Sequence, residues 1–330
     1  MDDIRWGIIG VGNVTEVKSG PAFRKADHSD LVAVMRRDAA KAEDYARRHG
    51  VSRWYSNADD LINDQEVNAV YVATPPSSHA RYAIKVMQAG KPVYVEKPMA
   101  LNHKECLEMI RVSEKTGMPL MVAYYRRTLP AFLKIKELIE SGEIGKPLTA
   151  NIRLYKQARE REIKPGEMSW HVFPEISGAG HFYDLASHQL DYFDFLFGPI
   201  SLVKGIAVNQ AALYPAEDTV TATFRFESGV TGNGSWCFIV DPAAETDVME
   251  IIGDGGKITF GCFRFGDVVL ENRMGVHTFR FTNPENIQFN LIQQVVNTLL
   301  GKASCVSTGI TAARTSFVLE EIVRSYYKPQ

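Results

Sequence analysis

The run Gly7-Ile-Ile-Gly-Val-Gly12 constrains this chain more than any other stretch. It closes a short apolar segment, residues 4–9, that reads as a buried parallel strand. Glycine after such a strand lets the backbone turn tightly and approach a pyrophosphate that a Cβ would push away. The third position of the usual GxGxxG pattern is Thr15 rather than glycine. The strand in front and the helix behind make Gly10 and Gly12, with Asn13 and Val14 next to them, candidates for a dinucleotide site.

A chain of 330 residues exceeds one ordinary core, so two domains are expected. Up to residue 124, short apolar runs (4–9, 31–35, 69–73, 92–95, 120–122) alternate with helical spacing (39–49, 58–62, 78–89, 103–116). That alternation predicts a doubly wound parallel sheet, a Rossmann domain over residues 1–124. Ser77 or Ser78 and Asn102 read as N-caps, and Gly50, Gly90 and Gly117 as helix stops. From residue 125 the texture changes. A helix over 132–141 precedes runs that alternate as antiparallel strands do: 148–155, 200–209, 219–226, 230–238, 246–253, 257–263, 267–271 and 276–281. Glu227-Ser-Gly229 and Gly253-Asp-Gly-Gly256 mark hairpins. Helices are expected over 182–197, 284–300 and 311–327. Residues 125–330 therefore read as an α+β domain on a large, mainly antiparallel open sheet.

The formal net charge of −2 and the scattered basic residues give no nucleic-acid or polybasic membrane surface. No apolar stretch reaches the roughly 20 residues of a membrane span. The acidic start is unlike a signal peptide, and the four cysteines form no CxxC pair. A cytoplasmic protein with reduced thiols and no metal site is expected.

The end of the second strand reports on the ribose. Sites for NAD(H) place an acid there, about 20 residues after the glycines. Here Arg36 and Arg37 stand at that point, and guanidinium groups favour a 2′-phosphate. NADP(H) is predicted over NAD(H); the opposing reading has the arginines solvated and Asp38 on the ribose. After the fourth strand, Thr74, Pro75 and Pro76 form a stiff loop expected under the nicotinamide half of the cofactor. His79 either contacts cofactor or packs locally. Glu96-Lys97-Pro98 ends the 92–95 strand and brings a lysine to the carboxyl edge of the sheet, where it can touch cofactor and substrate. Downstream, Asp184 and His188 lie at i and i+4 near the start of a helix, a spacing that suits proton transfer near neutral pH. The same two residue types also ligate metals, but no third ligand has suitable spacing. Asp191 continues the stripe as a structural residue. Trp170 sits upstream, where an aromatic could wall a cofactor or sugar pocket.

Together the glycine turn, Ala73-Thr-Pro-Pro-Ser-Ser-His79, Glu96-Lys97-Pro98, Tyr125-Arg-Arg and Asp184-xxx-His188 resemble the Gfo/Idh/MocA family of oxidoreductases over essentially the whole chain. The resemblance implies hydride transfer between a nicotinamide and a carbinol carbon of a sugar or cyclic polyol. By position it makes Lys97 the catalytic lysine, commonly on a cis Lys-Pro bond, and Asp184 and His188 the pair on the substrate side. It adds Arg126 to the cofactor set and implies a homodimer or homotetramer through the open sheet. Val34-Met-Arg-Arg looks most like the branch that uses NADP, including 1,5-anhydrofructose reductases. Thr15 departs from the pattern, as does His181-Phe182-Tyr183. Two other readings stay open: an NAD-dependent inositol-type enzyme or one with tightly held cofactor, and a non-catalytic NADP sensor.

Overall fold

Six short strands, β1 (Ile4–Ile9), β2 (Ser29–Met35), β3 (Arg53–Tyr55), β4 (Ala69–Val72), β5 (Val93–Val95) and β6 (Leu120–Val122), form one sheet in the order β3-β2-β1-β4-β5-β6. Every pairing in it is parallel. The order reverses at β1 and β4, which places the crevice for a ligand outside their carboxyl ends. The computed structural model describes residues 3–160, 164, 166 and 168–327.

Strand alternation divides the core of this sheet. Val70, Val72, Val93 and Val95 enter one cluster with Ala83, Val86 and Met109. Tyr71 and Tyr94 point the other way, stack at 5.1 Å, and meet Phe23 and Trp6. The helices are α1 (Asn13–Val17), α2 (Ala22–Lys25), α3 (Ala39–His49), α4 (Ala58–Asn63), α5 (His79–Gln88) and α6 (His103–Thr116). Asn102 caps α6 through the Glu105 N–H at 3.0 Å, as expected. Ser78 is the N-cap residue of α5, as expected, but its side chain makes no cap hydrogen bond: a single 3-10 turn, Pro76–Ser78, leads in, and the Ser78 hydroxyl goes to Thr74 and the Pro75 carbonyl. The edge strand β3 has only three residues and no buried apolar run, so alternation gives it no signal.

The second sheet has eight strands: β7 (Pro147–Tyr155), β8 (Ile200–Val208), β9 (Thr219–Phe226), β10 (Thr231–Cys237), β11 (Thr246–Gly253), β12 (Gly256–Phe260), β13 (Val268–Asn272) and β14 (Gly275–Phe279). Their order is β14-β13-β12-β11-β7-β10-β9-β8. All pairs are antiparallel except β7 with β10, and both expected hairpins are present. Helix α7 (Pro130–Glu140) precedes this sheet; α8 (Pro174–Ser177) and α9 (His181–Phe197) follow β7. The inner sheet face receives α9: Phe182 meets Trp236, Tyr192 meets Phe260 and Phe197 meets Phe226. A Cβ on Gly234 would lie 2.0 Å from the Trp236 ring, so glycine makes room for that indole.

The chain closes with α10 (Phe289–Leu299) and α11 (Gly309–Tyr327). Its compact units are Met1–Thr128 with Asn283–Ala313, and Leu129–Thr282 with Arg314–Gln330. Two contiguous domains divided at 124/125 therefore miss the return of 283–313 to the first unit. That return is held by hydrogen bonds such as Ser307 Oγ to the Val122 carbonyl, Arg127 to the Val306 carbonyl and Asn286 to the Val17 carbonyl, and by Ala312 and Ala313 in the core cluster. Among the described residues no helix is long and apolar enough to cross a membrane.

Candidate active site

In the first unit the turn after β1 is tied together by its own atoms. Gly10 has φ 97°, and a Cβ there would lie 2.6 Å from the Thr74 side chain and 2.9 Å from its backbone nitrogen. Glycine is needed where the two loops approach. Gly12 differs: its φ is −165°, and a Cβ would meet nothing closer than 4.0 Å. The protein's own packing does not require glycine there, which fits a surface left bare for a ligand. Thr15, the departure from the glycine pattern, is fully buried. Its hydroxyl accepts the Gly12 N–H at 2.9 Å and donates to the Gly12 carbonyl at 2.8 Å. Tyr45 on α3 adds a hydrogen bond to the Thr15 carbonyl at 2.7 Å. Asn13 and Val14 begin α1.

At the end of β2 the half-buried Arg36 reaches back to the Val11 carbonyl at 3.2 Å, and Arg37 is exposed. Asp38 accepts the Lys41 N–H at 3.2 Å and the Lys41 ammonium at 3.1 Å, as the N-cap of α3. Its carboxylate is thus engaged within its own helix.

Thr74 and Pro75 follow β4, Pro75 extended, and Pro76 opens the 3-10 turn that leads into α5. His79 is wholly buried, and its ring nitrogens lie 2.9 Å from the Pro98 carbonyl and 2.6 Å from the Thr74 carbonyl. Burial holds its pKa below the usual histidine range, against the pull of those carbonyls and Glu96. His79 therefore sits between the β4 loop and the Lys97-Pro98 turn, with both ring nitrogens facing carbonyls of its own unit, in line with the local-packing reading.

The Lys97-Pro98 bond is cis. Lys97 is half-buried at the carboxyl end of β5, on the same sheet edge as Gly10 and Arg36. Glu96, read from sequence as a cofactor contact, is only 6% exposed. One carboxyl oxygen takes the Tyr71 hydroxyl and the Gln288 amide at 2.6 Å; the other takes the Lys97 backbone N–H at 3.1 Å. Its side chain works inside the unit. Arg126 is 3% exposed, with its guanidinium 5.1 Å from the Tyr125 ring centre. Tyr71 and Gln288 were not singled out from the sequence. A tyrosine inside each of two buried valine-rich strands was the available signal, since a buried hydroxyl needs a partner.

In the second unit α9 carries Asp184 in its first turn and His188 one turn later. His188 is 4% exposed, and its ring is 6.0 Å from Phe263. Asp191 is buried and accepts the Thr315 hydroxyl at 3.5 Å, the structural role expected of it. The helix start is anchored by Glu217, whose carboxyl takes the Gly180 N–H at 3.0 Å and the Tyr327 hydroxyl. Complete burial raises the Glu217 pKa to about 7, with those hydrogen bonds opposing. Trp170 stacks on His171 at 3.7 Å, and His171 lies 6.3 Å from His181. Of the departure His181-Phe182-Tyr183, Phe182 is core against Trp236.

Residues 4–124 match the model described as an oxidoreductase family with an NAD-binding Rossmann fold. Residues 132–259 match that of the GFO/IDH/MocA C-terminal domain. "Oxidoreductase P35" of Formosa agariphila is 39% identical over 317 residues, 96% of this chain and 97% of that protein. The scyllo-inositol 2-dehydrogenase (NAD(+)) of Bacillus subtilis is 28% identical, covering 82% of this chain and 78% of its own. Among solved structures, levoglucosan dehydrogenase in complex with NADH and levoglucosan superimposes with a TM-score of 0.88 at 22% identity, covering 99% of this chain and all of that one.

Proposed function

The chain belongs to the Gfo/Idh/MocA oxidoreductase family, and from that premise we propose that it moves a hydride between NADP(H) and a hydroxyl- or keto-bearing carbon of a sugar or cyclic polyol. The observation that carries the reading is one sheet edge that gathers a bare Gly12, two arginines at the end of β2, and Lys97 at the end of β5. With Asp38 engaged in capping α3, the groups left to read the ribose at that strand end are guanidinium groups, which suit a 2′-phosphate. The substrate class follows relatives that act on inositol and levoglucosan by their names.

When bound, the nicotinamide supplies the hydride acceptor or donor. The chain's own residues handle the rest. His188 takes the hydroxyl proton in oxidation, with Lys97 as alternative base or relay partner. In reduction the Lys97 ammonium polarises the carbonyl oxygen. Asp184 orients His188 or grips a substrate hydroxyl. The outer face of the eight-stranded sheet, where Leu202 and Ile206 are 51% and 66% exposed, is the surface by which copies pair.

A second reading, NAD(H) as the cofactor, is favoured by the NAD(+) and NADH in the names of two relatives. Fluorescence titration with NADPH and NADH side by side decides between them. NADPH binding tighter by about tenfold, or 1.4 kcal/mol, supports the arginine reading. Equal or tighter NADH binding removes it. A screen of sugars and polyols with the preferred cofactor then tests the activity; no turnover with either cofactor would leave a nucleotide-binding protein without this chemistry.

A further inference from the structure

The carboxyl group of Glu96 accepts three hydrogen bonds from donors of its own unit. Tyr71 from β4 and Gln288 from the returning segment share one oxygen, and the Lys97 N–H takes the other at 3.1 Å. The Glu96 backbone is held as well, its N–H donating to the Val72 carbonyl at 2.9 Å. Three donors around one carboxyl is the pattern of a carboxylate acceptor.

Gln288 is the member that could most easily sit elsewhere, and it is fixed from three sides. Its side chain is wholly buried, its backbone N–H donates to the Lys18 carbonyl at 3.2 Å, and its amide oxygen accepts the Tyr94 hydroxyl at 3.2 Å. Tyr94 thereby orients the amide so that its nitrogen faces Glu96 at 2.6 Å. Two residues earlier, Asn286 donates to the Val17 carbonyl at 2.6 Å, so the same short stretch is tied to the helix that follows the glycine turn. Residue 288 lies beyond both matched family segments, 4–124 and 132–259.

We propose that Gln288 is a positioning residue for Lys97: with Tyr71 it fixes the Glu96 carboxylate, whose second oxygen holds the Lys97 backbone and so sets where the lysine side chain begins. The proposal rests on the reading of Lys97 as the catalytic lysine. The physical reason is that a buried carboxylate deprived of one donor seeks another, and the nearest backbone it can pull is that of Lys97. The titratable groups facing Glu96 are Tyr71, Tyr94 and His79, with Cys305 and Tyr125 beyond Tyr94. Burial, then the Glu96 charge, holds both Tyr71 and Tyr94 well above the usual tyrosine range, so both remain hydrogen-bond donors.

The test uses the full chain and three variants. Gln288→Met keeps the volume and removes both amide contacts. Gln288→Glu keeps the acceptor for Tyr94 and can donate to Glu96 only while the two carboxyl groups share a proton. Gln293→Met, in the same segment and bonded to the Asp27 N–H, is the control. Three quantities are read: NADPH affinity, kcat and KM against pH, and the rate at which trinitrobenzenesulfonate labels Lys97, followed by peptide mass spectrometry. Gln288→Met is expected to lower kcat by about tenfold or more, with KM and NADPH affinity within about threefold. It should also change Lys97 labelling by roughly threefold or more, where Gln293→Met changes neither kcat nor labelling. Gln288→Glu should recover kcat relative to the wild type as pH falls, because the shared proton restores the missing donor. Unchanged kcat and labelling in Gln288→Met, or a Gln288→Glu variant with no recovery at low pH, overturns the proposal. If Gln288→Met does not fold, the pH recovery of Gln288→Glu decides. A wild type that turns over no sugar or polyol defeats the functional reading alone, and the labelling rates still decide the positioning role.

Discussion

Arg314 grips the carboxylate of Asp194 through two hydrogen bonds, Nε at 2.9 Å and Nη2 at 2.7 Å. Asp194 lies on α9, the helix that carries Asp184 and His188, and its side chain is 4% exposed; Arg314 is 37% exposed. Forked pairing of this kind fixes direction as well as distance. Removing the arginine takes the forked partner from a buried carboxylate. Breaking a fully buried pair costs about 3–5 kcal/mol, and the partial exposure of Arg314 lowers that to about 2 kcal/mol. Arg314→Leu should therefore lower the unfolding free energy from urea titration by about 2 kcal/mol, and Asp194→Asn should lower it less, because the charge it leaves, the Arg314 guanidinium, is partly exposed to solvent. Equal loss in both variants would contradict this account.

Glu217 gives stability a pH dependence of definite sign. Its folded pKa is raised from 4.5 to about 7 by burial. The folded state therefore holds the proton through a range where the unfolded chain has lost it, and stability falls as pH rises from about 4.5 towards 7. At 1.4 kcal/mol per unit the whole shift corresponds to roughly 3 kcal/mol. Glu217→Gln should flatten this part of the curve: the variant loses less stability than the wild type between about pH 5 and 8. Denaturant unfolding at both pH values checks it.

Arg37 offers a clean test of the cofactor reading because it is exposed and Arg36 also braces the Val11 carbonyl. Arg37→Ala should weaken NADPH by about tenfold and leave NADH within about twofold, with melting temperature unchanged. Arg36→Ala should weaken both cofactors, since it also loosens the turn after β1. A uniform loss in Arg37→Ala would mean that the guanidinium attracts any dinucleotide rather than the 2′-phosphate.

How much of this was legible in the sequence varies with the range of the interactions. Strands 4–9, 120–122, 219–226 and 246–253 and the helices 39–49 and 103–116 fall where alternation, Asn102 and the glycine stops put them, because those signals act within one turn or one pleat. The last turns were less legible. The helix expected at 284 starts at Phe289, since residues up to Gln288 spend their polar groups on Val17, Lys18 and Glu96 instead of on a helix. His79 and Glu96 sit at the backbone positions expected of them, the first turn of α5 and the residue after β5, yet their side chains turn inward. A loop residue's position is written in its neighbours, but its direction depends on partners such as Pro98 and Gln288 that only the fold brings near.

The assigned chemistry predicts different signatures for Lys97 and His188. If Lys97 only gripped the cofactor, Lys97→Met would raise the NADPH dissociation constant and leave kcat alone. As a group acting on the reacting oxygen, its loss should lower kcat by about a hundredfold to ten-thousandfold, with NADPH affinity within about threefold. His188→Gln should lower kcat in the same range and also change its shape with pH. Proton transfer by a histidine places an ionisation between about pH 5 and 8 in the kcat profile, and that limb should vanish in the variant. Asp184→Asn keeps the size of the side chain and removes its charge, so the limb should survive, displaced to lower pH, as the imidazolium loses a neighbouring carboxylate one helical turn away. A limb that persists unmoved in both His188→Gln and Asp184→Asn would assign the proton to a different group, and Lys97→Met measured across the same pH range would show whether that group is the lysine.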